Sequence, residues 1–393
     1  MAADDAYIPY GRQTIDARDV ESVVRVLTSD FLTQGPAIEA FEQAVAAYCD
    51  VPYAVAVSSA TAGLHLACLA VGLGPGDWLW TSPNTFVATA NAALYCGAQV
   101  DFVDIDPQTY NLDVGKLAEK LAVAAASGRL PKALAPVHFA GQSCAMRAIG
   151  QLAAHYGVSI IEDAAHAVGG RYEQRPIGDC AYSQMAVFSF HPVKIITTGE
   201  GGVVTTRDQR LYERLKSLRS HGITRDPAQM TRAPHGPWDY QQLALGFNYR
   251  MTDLQAALGL SQMARLDEFV LRRQALARRY DEKLAHLPLT LPWQDPAGAS
   301  SFHLYVVRLK DAAHRRREVF ESLRAAAIGV NVHYIPVHTQ PYYRAMGFQH
   351  GDFPQAEAYY GEAITLPLYF GLSEADQDRV VAALQTALER VGV

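Results

Sequence analysis

Cysteine is scarce in this chain: five in 393 residues, Cys49, Cys68, Cys96, Cys144 and Cys180. Their number is odd, their spacing is wide, and no Cys-x-x-Cys pair occurs. A disulfide framework and a structural zinc site are therefore not expected. An excess of positive charge is missing too, with 34 basic against 40 acidic residues and a formal net charge of -6. Proteins that sit on nucleic-acid phosphates show a basic face, so no nucleic-acid partner is expected. A small phosphorylated ligand needs only a few local donors and stays open. No apolar run is long enough to cross a bilayer, so no membrane is expected. The opening Met1-Ala-Ala-Asp-Asp has neither the basic stretch nor the apolar core of a secretory leader. Internal repeats and low-complexity tracts are lacking as well. The expectation is a reduced, cytoplasmic protein with no metal site.

What is present is an ordinary globular composition, 49% hydrophobic and 19% charged. Strands are predicted over 53–57, 78–81, 100–103, 133–139 and 159–163, and helices over 61–70, 85–95, 113–126 and 145–156 fall between them. Such alternation argues for an α/β fold with a large, mostly parallel sheet covered on both faces. Ligands of such sheets gather at the carboxyl ends of the strands. The pattern then changes. Residues 184–190 and 202–206 read as two strands joined by a Gly-rich stretch, a pair that needs no intervening helix. Residues 252–287 read as one long connecting helix. Beyond it, strands over 302–309 and 329–334 and helices over 314–327, 354–363 and 374–390 suggest a smaller α+β domain. The expected division is 1–255 for the large domain with its N-terminal segment and 256–393 for the linking helix and small domain.

Three features fall where one phosphorylated cofactor could use them all. Ser58-Ser59-Ala60-Thr61-Ala62-Gly63 lies between a strand and a helix. Small residues there let backbone N–H groups approach an anion, and the helix terminus adds partial positive charge; the same residues would also serve as an ordinary helix cap. Ile160-Ile-Glu-Asp163-Ala-Ala-His166 puts a carboxylate at the end of a buried strand, where it needs a partner. A protonated pyridine nitrogen would serve, and so would an arginine. Phe188-Ser-Phe-His-Pro-Val-Lys194 places one lysine among apolar and small neighbours, ahead of a Gly-rich turn. Partial desolvation would lower its pKa and sharpen the amine as a nucleophile toward a carbonyl; a lysine snorkelling from a loop is the other reading.

The order of these features resembles that of fold type I pyridoxal 5'-phosphate (PLP) enzymes, the aspartate aminotransferase-like transferases. The wording is narrower. Glu162-Asp-Ala-Ala-His166, Phe188-Ser-Phe-His-Pro-Val-Lys194, Gly199-Glu-Gly-Gly202 and Gly246-Phe-Asn-Tyr-Arg-Met251 resemble the sugar aminotransferases of the DegT/StrS family. With Tyr10-Gly and Leu32-Thr-Gln-Gly35, the likeness spans nearly the whole chain. The run from Phe188 to Gly202 and Val332-His-Tyr-Ile-Pro336 are most similar to the branch that serves pseudaminic acid biosynthesis.

By that resemblance, Lys194 carries PLP as a Schiff base and then moves the proton between cofactor and substrate. Asp163 pairs with the pyridine nitrogen, and His166 sits near the ring oxygen. Phe86 stacks on the ring. Ser189, Ser59, Ala60 and Thr61 bind the phosphate, and Asn248 reaches the phosphate of a neighbouring subunit, which implies a homodimer with shared active sites. Tyr10, Asp30, Phe31, Leu32, Thr33, Val332, His333, Tyr334 and Ile335 resemble segments that contact the nucleotide sugar. The implied reaction takes the amino group of L-glutamate to the 4-keto carbon of a UDP-linked 6-deoxy sugar, UDP-2-acetamido-2,6-dideoxy-β-L-arabino-hexos-4-ulose. A sibling 3- or 4-aminotransferase on another UDP- or dTDP-keto sugar is the alternative. A lyase or racemase on the same fold is a rival of another class, but no arginine clamp for an amino-acid carboxylate is evident.

Overall fold

The apolar runs bounded by Gly, Pro or Asp become the strands of one seven-stranded sheet. In chain order these are β1 (Tyr53–Val57), β2 (Trp78–Thr81), β3 (Gln99–Phe102), β4 (Ala133–Ala135), β5 (Ser159–Asp163), β6 (Met185–Ser189) and β7 (Gly202–Thr206). The computed structural model describes residues 7–392, so the Met1-Ala-Ala-Asp-Asp stretch lies outside the described residues. The strands pair in the order β1-β7-β6-β5-β4-β2-β3. Neighbours are parallel except at β7, which runs antiparallel to both β1 and β6. Every residue of β6 and β7 is buried, as a sheet covered on both faces requires.

The covering helices are α1 (Ala17–Leu27), α2 (Pro36–Tyr48), α3 (Ala60–Ala70), α4 (Val87–Tyr95), α5 (Val114–Ala126), α6 (Met146–Tyr156), α7 (Gln209–Arg219), α8 (Asp253–Met263) and α9 (Leu266–Leu284). Leu66 and Ala67 of α3, Ala92 and Ala93 of α4 and Leu215 of α7 pack with Val187 and Val204 of the sheet. Phe41 of α2 and Ala256 of α8 pack with Phe188 and Val203 in a second cluster. Helices α1, α2 and α7 are additions to what the sequence pattern predicts.

Three expectations need correction. The strand expected over 133–139 stops at Ala135, because Pro136 has no N–H to give to β5; a single bridge from Val137 to Asp163 resumes the pairing. The helix expected over 252–287 breaks into α8 and α9. At the break Arg265 leaves helical geometry (φ -119°, ψ 9°) and buries its guanidinium against Asp16 at 2.9 Å and Asp19 at 2.6 Å. The strand expected over 329–334 makes only one bridge, Asn331 to Thr365. Gly329 lies flush against the N-terminal segment, where a Cβ would come within 2.5 Å of the Tyr7 hydroxyl. Beyond it, Asn331, Val332, His333 and Tyr334 in succession line one cavity, unlike the alternating faces of a strand.

A second sheet of three antiparallel strands, β8 (Leu289–Thr290), β9 (Tyr305–Leu309) and β10 (Ala363–Leu366), has β9 at its centre. Its core joins Tyr280 and Leu284 of α9 to Tyr305, Val307, Leu323 and Leu384. Among the described residues, no helix is long and apolar enough to cross a membrane.

The N-terminal segment is held at Ile8 by the core of the second sheet and at α1 by charge. The only buried residue of α1 is Asp19. Its carboxylate accepts from Ser261 Oγ at 2.6 Å, Gln262 Nε2 at 2.7 Å and Arg265 Nη2 at 2.6 Å. Removing one side of a buried pair leaves the other charge uncompensated, so Asp19→Ala should destabilise the chain by about 3 kcal/mol or more. Chemical denaturation followed by circular dichroism will read the loss, and Asp19→Asn should lose less because it keeps an acceptor for Gln262.

Candidate active site

One cavity of ≈ 530 Å³ opens at the carboxyl ends of β1, β2, β5 and β6. Its walls come from the loops that follow those strands: Ser59, Ala60 and Thr61 after β1, Thr85 and Phe86 after β2, Asp163 and His166 from β5, and Ser189 and Lys194 from β6. The second sheet's side contributes His303, Val332, His333 and Tyr334, and Tyr10 comes from the N-terminal segment. This volume is in the ordinary range for a small-molecule site.

The loop after β1 is shaped by two features. Ser59 adopts extended backbone and caps α3, its hydroxyl accepting from Ala62 N–H. Gly202, opening β7, lies so close that a Cβ would meet Ala60 N at 2.7 Å and Ser59 C at 2.8 Å. Only glycine lets the loop lie flush on the sheet. The leading N–H groups of α3 are thereby presented to the cavity with the helix's partial positive charge behind them.

Asp163 is buried, and two donors hold it. Ala165 N–H gives to Oδ1 at 3.1 Å and Thr89 Oγ1 gives to Oδ2 at 2.6 Å. Because Thr89 spends its only proton on Asp163, the 2.7 Å contact between Thr85 and Thr89 has Thr85 as donor. A hydroxyl chain thus runs from Thr85 through Thr89 to the carboxylate.

Lys194 lines the same cavity and is partly open to it, while its amine is enclosed by protein. Burial pulls its pKa down to about 8, against the opposing pull of the Asp163 charge. That amine lies 3.4 Å from His303 Nε2. His166 accepts the Ala140 N–H at Nδ1 (3.2 Å), so a neutral ring must carry its proton on Nε2 and donate it to the Tyr334 hydroxyl at 2.9 Å. Burial and the nearby Lys194 charge hold His166 well below its ordinary pKa, which keeps the ring neutral.

Of the residues singled out from sequence, Tyr10, Ser59, Ala60, Thr61, Phe86, Asp163, His166, Ser189, Lys194, Val332, His333 and Tyr334 line this cavity. Phe86 is 58% exposed although it sits in the wall, so a ring face is free for a ligand. Asp30, Phe31, Leu32, Thr33 and Ile335 do not line it. They lie on exposed backbone, and Leu32 O is taken by the Asp253 N–H. Asn248 is bridged to Ser220 and is also outside this chain's lining. Sequence reasoning missed Thr85, Thr89 and His303. Of these, only His303 left a signal, a lone histidine inside the apolar run Phe302-His-Leu-Tyr-Val-Val.

The residues present fit PLP: a buried amine of lowered pKa, a carboxylate held by two donors, an N-terminal helix loop beside Ser189, and a free aromatic face. Fold and cavity together define a PLP-dependent aminotransferase. The model of the DegT/DnrJ/EryC1/StrS aminotransferase family matches residues 13–385, and the chain belongs to that family. It is 41% identical over 384 residues to the spore coat polysaccharide biosynthesis protein SpsC of Bacillus subtilis, covering 96% of each chain. It is 38% identical over 381 residues to the GDP-perosamine synthase of Caulobacter vibrioides, covering 95% of this chain and 96% of that one. The structure of Helicobacter pylori PseC, an aminotransferase involved in the biosynthesis of pseudoaminic acid, matches with a TM-score of 0.90 at 29% identity, covering 98% of this chain and all of that one. Structures of similar chains have been solved in PLP and pyridoxamine phosphate (PMP) forms.

In the cofactor-free protein, modification of Lys194 by fluorodinitrobenzene should rise through a midpoint near pH 8, because the folded amine loses its proton there. Peptide mass spectrometry across a pH series will read it. A midpoint near that of exposed lysines, about 10.4, would contradict the burial argument.

Proposed function

We propose that this enzyme moves the amino group of L-glutamate to the 4-keto carbon of a UDP-linked 6-deoxy sugar. The substrate named by this reading is UDP-2-acetamido-2,6-dideoxy-β-L-arabino-hexos-4-ulose, and the product is the 4-amino sugar nucleotide of pseudaminic acid biosynthesis. The observation that carries the transamination is the pairing of a low-pKa Lys194 amine with a donor-held Asp163 carboxylate in one cavity. Support for the sugar comes from the match to PseC over 98% of this chain.

In this reading Lys194 would hold the cofactor and, as a free amine, would accept the proton from glutamate's α-carbon and later give it up. Asp163 would pair with the protonated pyridine nitrogen, and Thr89 and Ala165 hold its carboxylate in place. The cofactor supplies an electron sink for the carbon next to the nitrogen. Phe86 would cover one ring face, and His166 would lie beside the ring oxygen. Ser189 and the Ser59, Ala60 and Thr61 loop hold the phosphate, with Asn248 reaching the phosphate of the second subunit. Tyr10, Val332, His333, Tyr334 and Ile335 would meet the nucleotide sugar, together with residues 30–33.

The large part, residues 1–255, would carry the cofactor, and residues 256–393 would close the sugar side. A homodimer is supported by the exposed apolar row of Val20, Val24 and Leu27 on α1, continued by Phe31 and Leu32. A cytoplasmic location would suit a nucleotide-sugar substrate. The second reading is 4-amination of a GDP-linked sugar, favoured by 38% identity to GDP-perosamine synthase.

Borohydride reduction of the PLP-loaded protein should tag Lys194, and Lys194→Ala should lower transamination by about a thousandfold or more. A tag at another lysine would sink the assignment. Incubation with glutamate and a panel of UDP-, GDP- and dTDP-4-keto sugars, with the product read by NMR, should give a UDP-4-amino sugar. A GDP-linked product would replace the first reading with the second, and a 3-amino product would overturn both.

A further inference from the structure

His303 opens onto Lys194 from the far wall of the cavity. It is 4% exposed and sits between the loop after β5 and the loop after β6. Its Nε2 is 3.4 Å from Lys194 Nζ, and its Nδ1 is buried with no hydrogen-bond partner among the described residues. The ring lies 4.4 Å from the ring of His166, centroid to centroid. The charged and titratable groups around it are cationic or neutral from every side. Lys194 faces it from the loop after β6, His166 from the loop after β5, His333 from the segment after Gly329, and Arg273 from α9. The Arg273 guanidinium binds the His303 carbonyl at 3.4 Å and also the carbonyls of Phe302 and Leu368. Burial and these cations hold the imidazole well below its ordinary pKa, so it is neutral.

A neutral imidazole carries one proton, and the unpartnered nitrogen decides where it goes. With the proton on Nδ1, a buried N–H would be left without an acceptor. With the proton on Nε2, the orphan is only a lone pair, and unpaired acceptors are better tolerated than unpaired donors. The Nε2–H tautomer can give its proton to the lone pair of a neutral lysine amine. It offers nothing to a lysine ammonium, which has three donors and no acceptor. His303 is therefore matched to one charge state of Lys194 only.

We propose that His303 is a positioning residue that holds the free Lys194 amine in its neutral form, ready to accept a proton. The bond is long, so the amine can leave it for the substrate at small cost. When Lys194 takes the α-proton of glutamate, the C–H bond breaks, its electron pair stays with the substrate and bound cofactor, and the proton becomes the third on Lys194 nitrogen. His303 then has no bond to offer, which favours passing that proton onward. This proposal rests on Lys194 being the cofactor lysine.

The test compares the parent protein with His303→Phe, which keeps a ring against His166, and His303→Gln, which keeps an N–H donor. The first readout uses cofactor-free protein, following fluorodinitrobenzene modification of Lys194 against pH by mass spectrometry. His303→Phe should move the midpoint upward by about half a unit or more, because a hydrogen bond to the neutral form is lost; His303→Gln should stay near the parent. The second readout is the glutamate half-reaction of PLP-loaded protein by stopped-flow absorbance. Its acid limb should move up in the same order, with little change in the affinity for glutamate. An unmoved or lowered midpoint in His303→Phe, or a His303→Gln that behaves as His303→Phe does, would overturn the proposal. Borohydride tagging of the parent is run alongside: a tag elsewhere than Lys194 refutes the cofactor assignment itself, whereas a tag at Lys194 with unmoved pH profiles refutes only the role of His303.

Discussion

The structure turns on keeping an amine and a carboxylate inside one wall of protein without letting them collapse into a simple ion pair. Lys194 loses much of its preference for the charged form through burial, and Asp163 pulls the other way. The balance leaves an amine that gives up its proton near pH 8, well below the range of exposed lysines. Such an amine would be costly in a random interior, and a carboxylate beside it more so. Here the carboxylate is held by Ala165 and Thr89, with Thr85 behind Thr89, and the amine faces neutral His303. The polar cluster is stable because nearly every group in it has a partner of the right kind.

The sheet makes that cluster possible. Asp163 ends β5 and Ser189 ends β6, and these strands are parallel neighbours in register, with Asp163 opposite Val187. Their carboxyl ends therefore lie on one edge, where the loop to α3 also emerges. The reversal at β7 brings Gly202 to the same edge, because an antiparallel strand starts where its neighbours finish. One change of direction thus seats the loop of Ser59 and Ala60 against a residue with no side chain.

The far wall is built differently. His303 precedes β9, and Val332, His333 and Tyr334 leave the second sheet after one bridge. Tyr10 lies against His333, with ring centroids 5.5 Å apart, while Leu368 N–H binds its carbonyl. The bond between His166 and Tyr334 ties this wall to the first. Both walls are anchored through α8 and α9, whose junction at Arg265 also grips Asp16 and Asp19 at the N-terminal end. Family, cofactor and cavity agree on this arrangement.

Much of this was legible in residue order. Apolar period and Gly/Pro punctuation locate β1, β2, β5 and β7 to the residue, since a buried strand leaves a short continuous apolar run. The motif around Lys194, the Asp163 strand end and the Ser59 loop could be read for the same reason: each combines a reactive or small residue with a local backbone role. Three things were not legible. The break at Arg265 depends on carboxylates some 250 residues earlier in the chain. The segment from Gly329 to Tyr334 has the composition of a strand, but Gly329 N–H binds Ile8 O and the segment makes one bridge, Asn331 to Thr365. Thr89 looks like any helix residue until the fold sets it 2.6 Å from Asp163. The sequence by itself determined the sheet, the family and the lysine proposed to hold the cofactor, because those follow from local pattern and motif. Only the tertiary structure decided which side chains surround that lysine, because burial and the pairing of distant polar groups set its charge, and neither has a local signature.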